Sequence, residues 1–196
     1  MAATMASPAA SPFPVQFDVE YPESLSRLTF VKWILAIPHL IILYALNAVF
    51  EVISLIAFFA ILFTGAYPEG LFKFNLGIMR WQANATAYMF LMRDEYPPFS
   101  FDAGLYPVKL EIATPTNLQR WAPLYKWILA IPHFIILYFL FIAAFVAVIY
   151  AGIMVLISGK YPEGAFKFVV SVQRWSLKAT TYAFFMHDEY PPFSLD

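Results

Sequence analysis

KWILAIPHLIILY, residues 32–44, returns as KWILAIPHFIILY at residues 126–138 with one residue of thirteen changed. The register extends well beyond the two stretches: from Lys32 to Ser100 every residue lies without a gap on the residue 94 positions later, and more than half of the pairs are identical. YPEG recurs at 67–70 and 161–164, FKF at 72–74 and 166–168, RW at 80–81 and 174–175, and DEYPPFS at 94–100 and 188–194. Upstream, PVQFDVEYPESLSRL (14–28) matches PVKLEIATPTNLQRW (107–121). The chain is an internal duplication, with repeat 1 at 14–103 and repeat 2 at 104–196. The tail at 1–13 is mostly Ala, Ser and Pro; it lacks the basic and apolar regions of a signal peptide and reads as disordered.

Composition sets the class. Hydrophobic residues make up 61% and charged residues 13%, against about 45–50% and about 25% in soluble domains. That balance belongs to a membrane protein. A net charge of -1 offers no basic stripe for phosphates, which excludes nucleic acid as a partner. With no cysteine there is no disulfide, thiolate nucleophile or cysteine-ligated metal.

Each unit reads in the same order. Alternating apolar residues, Val15, Phe17 and Val19 and then Val108, Leu110 and Ile112, predict a strand. An apolar run follows that exceeds the roughly 20 residues a bilayer needs. Pro38 and Pro132 interrupt the two runs, predicting a kink after a short interfacial helix and spans at 39–63 and 133–157. YPEG ends each span. Residues 70–92 and 164–186 have the length of a second span, but carry a polar stripe: Lys73, Gly77, Arg80 and Asn84, then Lys167, Ser171, Arg174 and Lys178. Their length favours crossing; the stripe leaves open an amphipathic helix in the interface.

The expected fold is therefore a membrane all-α, four-span bundle of two tandem parallel repeats. A small β cap would be built from both strands, pairing across repeats, and both DEYPPFS segments. Arg27, Lys32, Arg93, Lys109, Arg120 and Lys126 would then share one side, opposite Lys73, Lys160 and Lys167. The positive-inside rule places the strands and both termini in the cytoplasm.

Arg80 and Arg174 fall near mid-span, where a charge is costly and suggests function. Glu51, on a helix face with Asn47 and Ser54, is the natural partner of Arg80. Repeat 2 has Phe145, Phe141 and Val148 at these positions, so Arg174 and Lys178 lack an equivalent. The candidate intramembrane cluster is Asn47, Glu51, Arg80, Asn84, Arg174 and Lys178. A plainer reading makes both arginines glue, bonded to Glu51 or to backbone carbonyls, or has them snorkel to lipid phosphates. His39 and His133 could ligate haem or a chlorophyll-type magnesium; the plainer reading has each imidazole satisfying polar groups freed by the proline. Asp94, Glu95, Asp188 and Glu189 are expected to form interfacial ion pairs with Arg27, Arg120, Lys32 or Lys126; His187 could be a pH-sensitive group, though its alignment with Arg93 favours a plain cationic role.

The ordered set KWILAIPH, YPEGLFKF, RW and DEYPPFS resembles a bacterial membrane-protein family, that of domain of unknown function 4389, over roughly residues 14–100 and 107–196. The resemblance implies a multi-spanning protein of a bacterial inner membrane and transfers no activity or catalytic residue.

The expected function is non-enzymatic: an accessory or scaffold subunit packing against partner membrane subunits or itself, with no cofactor. The alternatives are a small transporter, channel or lipid- or anion-binding protein using the central cluster, and a haem or chlorophyll-type carrier using His39 and His133.

Overall fold

The computed structural model describes residues 13–195, so the expected tail lies outside it except for Phe13. Five helices and two strands follow the duplicated order. β1 (Val15–Val19) pairs antiparallel with β2 (Val108–Ile112), with Phe17 opposite Leu110. The alternation puts Val15, Phe17, Val19, Val108, Leu110 and Ile112 on one buried face. Pairing across repeats is as the sequence predicts. The DEYPPFS segments, however, form no strand: their paired prolines and missing ladder donors leave them as extended arms.

In repeat 1, α1 (Thr29–Leu35) stops at a turn on Ala36, and α2 (Ile37–Thr64) starts with Pro38 in its first turn, where a missing N–H costs nothing. In repeat 2 a 3-10 turn at Ala122–Leu124 leads into α4 (Lys126–Ser158), which runs through Pro132. The same proline thus divides one copy and is absorbed in the other. Gly65 and Gly159, at φ of 75° and 72°, close α2 and α4 with left-handed caps. α3 (Glu69–Met89) and α5 (Glu163–Ala183) fill the 70–92 and 164–186 stretches.

Packing is layered and crossed. α2 lies on α3 and α4 on α5, while the ribbon lies over both shorter helices, β1 against α5 and β2 against α3. Each strand therefore covers the other repeat. The crossing continues in Leu25 N–H donating to Gly159 O (2.8 Å) and Leu118 N–H to Gly65 O (3.0 Å). The residues that precede the first helix of one repeat thus abut the end of the long helix of the other. Since the 28 residues of α2 extend about 42 Å, α2 and α4 run head to tail.

This overturns the parallel arrangement of repeats. Asp94 bonds the Ser26 N–H at 2.6 Å and Asp188 the Gln119 N–H at 2.8 Å, so the two DEYPPFS arms sit at opposite ends of the molecule. The count of basic residues that put the strands in the cytoplasm assumed that both repeat starts share a side, and so it assigns none.

α2 and α4 are the two helices long and apolar enough to cross a membrane, with only 28% and 22% of their most apolar stretches buried. Their outer faces expose many large apolar side chains, Tyr44, Val52, Leu55, Phe63, Phe139 and Val146 among them.

Candidate functional site: two histidine boxes and a cleft on the pseudo-two-fold axis

The proline, the RW pair and the DEYPPF arm meet in one box per repeat. Trp81 Nε1–H donates to His39 Nδ1 at 2.8 Å, and Trp175 Nε1–H to His133 Nδ1 at 3.0 Å. Phe99 and Phe193 from the arms stack on the imidazoles at 4.0 Å and 10°. Tyr96 and Tyr190 flank the rings, and their hydroxyls donate to Leu35 O (3.1 Å) and Leu129 O (3.3 Å). The tyrosines, and not the imidazoles as the sequence suggested, thus serve the carbonyls of the turn before the proline. Because an indole can only donate, Nδ1 is an acceptor and the neutral ring carries its proton on Nε2. Both Nε2 atoms are buried without a partner, and both histidines are fully buried. The indole N–H occupies Nδ1 and Nε2 is buried, so neither nitrogen is open to a macrocycle. The boxes fit a latch and do not fit a haem or chlorophyll site. Among the described residues no group of three His, Asp or Glu side chains could hold a metal.

An ion pair anchors each arm. Lys32 Nζ meets Asp94 Oδ1 at 2.5 Å and Arg93 O at 2.9 Å, and Lys126 Nζ meets Asp188 Oδ1 at 2.5 Å and His187 O at 2.6 Å. Both lysines are buried, so each ammonium depends on these acceptors. Glu95 pairs with Arg93 at 2.6 Å, and that contact holds its carboxyl below the usual range. Arg27, Arg120 and Glu189 form no ion pair among the described residues. Arg27 instead donates to Ile157 O (3.4 Å), and Arg120 lies against Gly65, each at the carbonyl end of the other repeat's long helix, where the helix dipole favours a cation. His187 is not the cation its alignment with Arg93 suggested. It is buried, with Thr181 Oγ1 at 2.9 Å from Nε2 and the Phe13 ring edge-on at 5.2 Å, and burial lowers its pKa to about 4.

The six residues expected to form one intramembrane cluster fall in four places. Arg80 Nε–H donates to Leu110 O at 3.1 Å, and Arg80 and Asn84 line a cavity of about 540 Å³ against the ribbon. Arg174 Nε–H donates to Phe17 O at 2.8 Å, with Asp18 at 3.3 Å. Lys178 is buried with its ammonium 5.2 Å over the Phe13 ring. The arginines are thus glue to backbone carbonyls, matching the plainer reading, and Arg80 does not pair with Glu51. Asn47 and Glu51 line a separate cavity of about 320 Å³ between α2, α3, α4 and α5. Residues related by the duplication face each other there, Thr86 with Thr180, Gln82 with Ser176 and Phe90 with Phe184, which places the cleft on the pseudo-two-fold axis.

The boxes were missed in the sequence. Their signal was there: His and Trp stand 42 residues apart in both copies.

Crossed repeats and paired histidine boxes define a duplicated, mostly helical protein with two helices long and apolar enough to cross a membrane. A model of the family described as a domain of unknown function (DUF4389) matches residues 26–100 and again 120–194, and the chain belongs to that family as two tandem copies. Both matches begin after the strand, so the ribbon lies outside the matched units. No curated protein and no solved structure matches the chain.

Proposed function

We propose that the protein is a non-enzymatic membrane-embedded subunit, an accessory or scaffold component that presents aromatic helix faces to lipid and to partner helices or a second copy. One observation carries the reading: the many large apolar side chains that α2 and α4 expose, with only 28% and 22% of their most apolar stretches buried. In this reading α2 and α4 lie in the plane of the membrane, sunk into hydrocarbon. α3 and α5 rest above them, and the ribbon faces water. The ribbon supports this placement, because a two-stranded sheet has open edges whose backbone groups hydrocarbon cannot satisfy, and it exposes Asp18, Lys109 and Glu111. A ribbon lying across the middle of α3 and α5 would sit at mid-bilayer if those helices crossed.

The four-span bundle is the second reading, supported by the 21-residue lengths of α3 and α5. It needs a partner to cover the ribbon. Native mass spectrometry after mild extraction from the protein's own membranes tests the subunit role: a heavier assembly with reproducible stoichiometry is expected, and a bare monomer would contradict it.

A further inference from the structure

Glu51 sits near the middle of α2, between Asn47 and Ser54 in a mostly apolar helix, and no cation pairs with it among the described residues. An ionised carboxylate in the lipid-facing layer is costly unless something compensates it. The cleft it lines contains no Lys, Arg or His. Its polar groups, Asn47, Gln82 and Gln173 among them, offer carbonyl oxygens beside the carboxylate, and Phe50 and Phe141 add aromatic surface. That combination of one carboxylate, neutral oxygens and phenylalanines is the chemistry that receives an ammonium group. At about 320 Å³ the cleft has the size of a small-ligand site and is too small for a helix. The duplication sharpens the point, because repeat 2 carries Phe145 in place of Glu51, and Glu51 is the one carboxylate among the residues lining the cleft.

We propose that this cleft binds one organic ammonium cation, with Glu51 as its counter-ion and the phenylalanines against its alkyl groups. The inference goes beyond the scaffold role and rests on α2 lying in the membrane. The cation can come as the headgroup of an amphiphile from the leaflet or as a free ion.

The test is binding to the purified full chain in a nonionic maltoside, by native mass spectrometry and calorimetry. Dodecyltrimethylammonium is the amphiphilic probe, tetraethylammonium the free one, and decanoate the anionic control. One dodecyltrimethylammonium per chain is expected, with affinity reduced at least tenfold in Glu51→Gln and unchanged in Lys109→Gln. Tetraethylammonium binding to the same site would support a free cation, and its failure beside bound dodecyltrimethylammonium an amphiphile. Absence of both, equal binding to Glu51→Gln, or equal uptake of decanoate would overturn the proposal. Glu51→Gln is expected to melt no lower than the parent, because it removes an unpaired charge. Whether α2 lies in lipid is read separately, from the labelling of a Leu55→Cys variant.

Discussion

Two tyrosines at equivalent positions show what the duplication kept and lost. Tyr67 accepts the Asn75 amide at 3.0 Å, and that amide also reaches Ser54 at 3.3 Å. Repeat 2 has Val169 and Val148 at those places, and the buried Tyr161 hydroxyl is left without a partner. Removing an orphaned hydroxyl is neutral or stabilising, whereas removing a bonded one costs about 1 kcal/mol. Thermal unfolding in detergent should therefore show Tyr161→Phe at or above the parent and Tyr67→Phe below it; the reverse order would refute the assignment. His187 gives a pH dependence of definite sign. Its pKa is about 4 in the folded chain against 6.5 unfolded, so below pH 6.5 the unfolded state takes up the proton first. Its share of stability is full above pH 6.5 and is lost as pH falls towards 4, on the order of 3 kcal/mol in all. Comparing the parent with His187→Gln across that window should flatten the slope; an unchanged slope would mean that His187 is already charged in the fold.

At the scale of elements, the alternation of Val15, Phe17 and Val19 made the strands legible, and the apolar runs made α2 and α4 legible, because each pattern is local. The DEYPPF arm was not legible. Its two prolines announce only an extended segment, while its role lies in contacts 61 residues distant, from Tyr96 to Leu35 and from Tyr190 to Leu129. Arg80 and Arg174 show a related limit: depth along a helix is readable, but their carbonyl partners, Leu110 O and Phe17 O, lie on a strand of the other repeat. Gly77 carries a trace of such packing, since a Cβ there would come within 2.6 Å of Phe101 in the segment that follows the arm. The arms act as latches tied by Asp94 and Asp188 to buried lysines. Asp94→Asn and Asp188→Asn should each cost on the order of 2 kcal/mol, the worth of a hydrogen bond to a charged group. Proteolysis within 94–100 or 188–194 should quicken in the matching variant. Unchanged cleavage and melting would show that the arms are held by aromatic packing alone.

For the whole molecule, the sequence made duplication plain but not how the copies face each other, because a repeat fixes the unit and leaves the symmetry axis to the contacts. Here the axis passes through the ribbon and the cleft, with the repeats head to tail. Placed along the membrane normal, it gives one apolar face and one polar face. A chain without cysteine allows a direct test. Single cysteines would replace Leu55 and Ile149 on the apolar face, Lys109 on the ribbon, and Glu69 and Glu163 at the starts of α3 and α5, all exposed positions. A membrane-impermeant maleimide would be applied to vesicles of both orientations. The in-plane arrangement requires that positions 69, 109 and 163 react from one and the same side, while 55 and 149 stay silent until detergent is added. Labelling of 69 and 163 from opposite sides, or of 55 in intact vesicles, would contradict it.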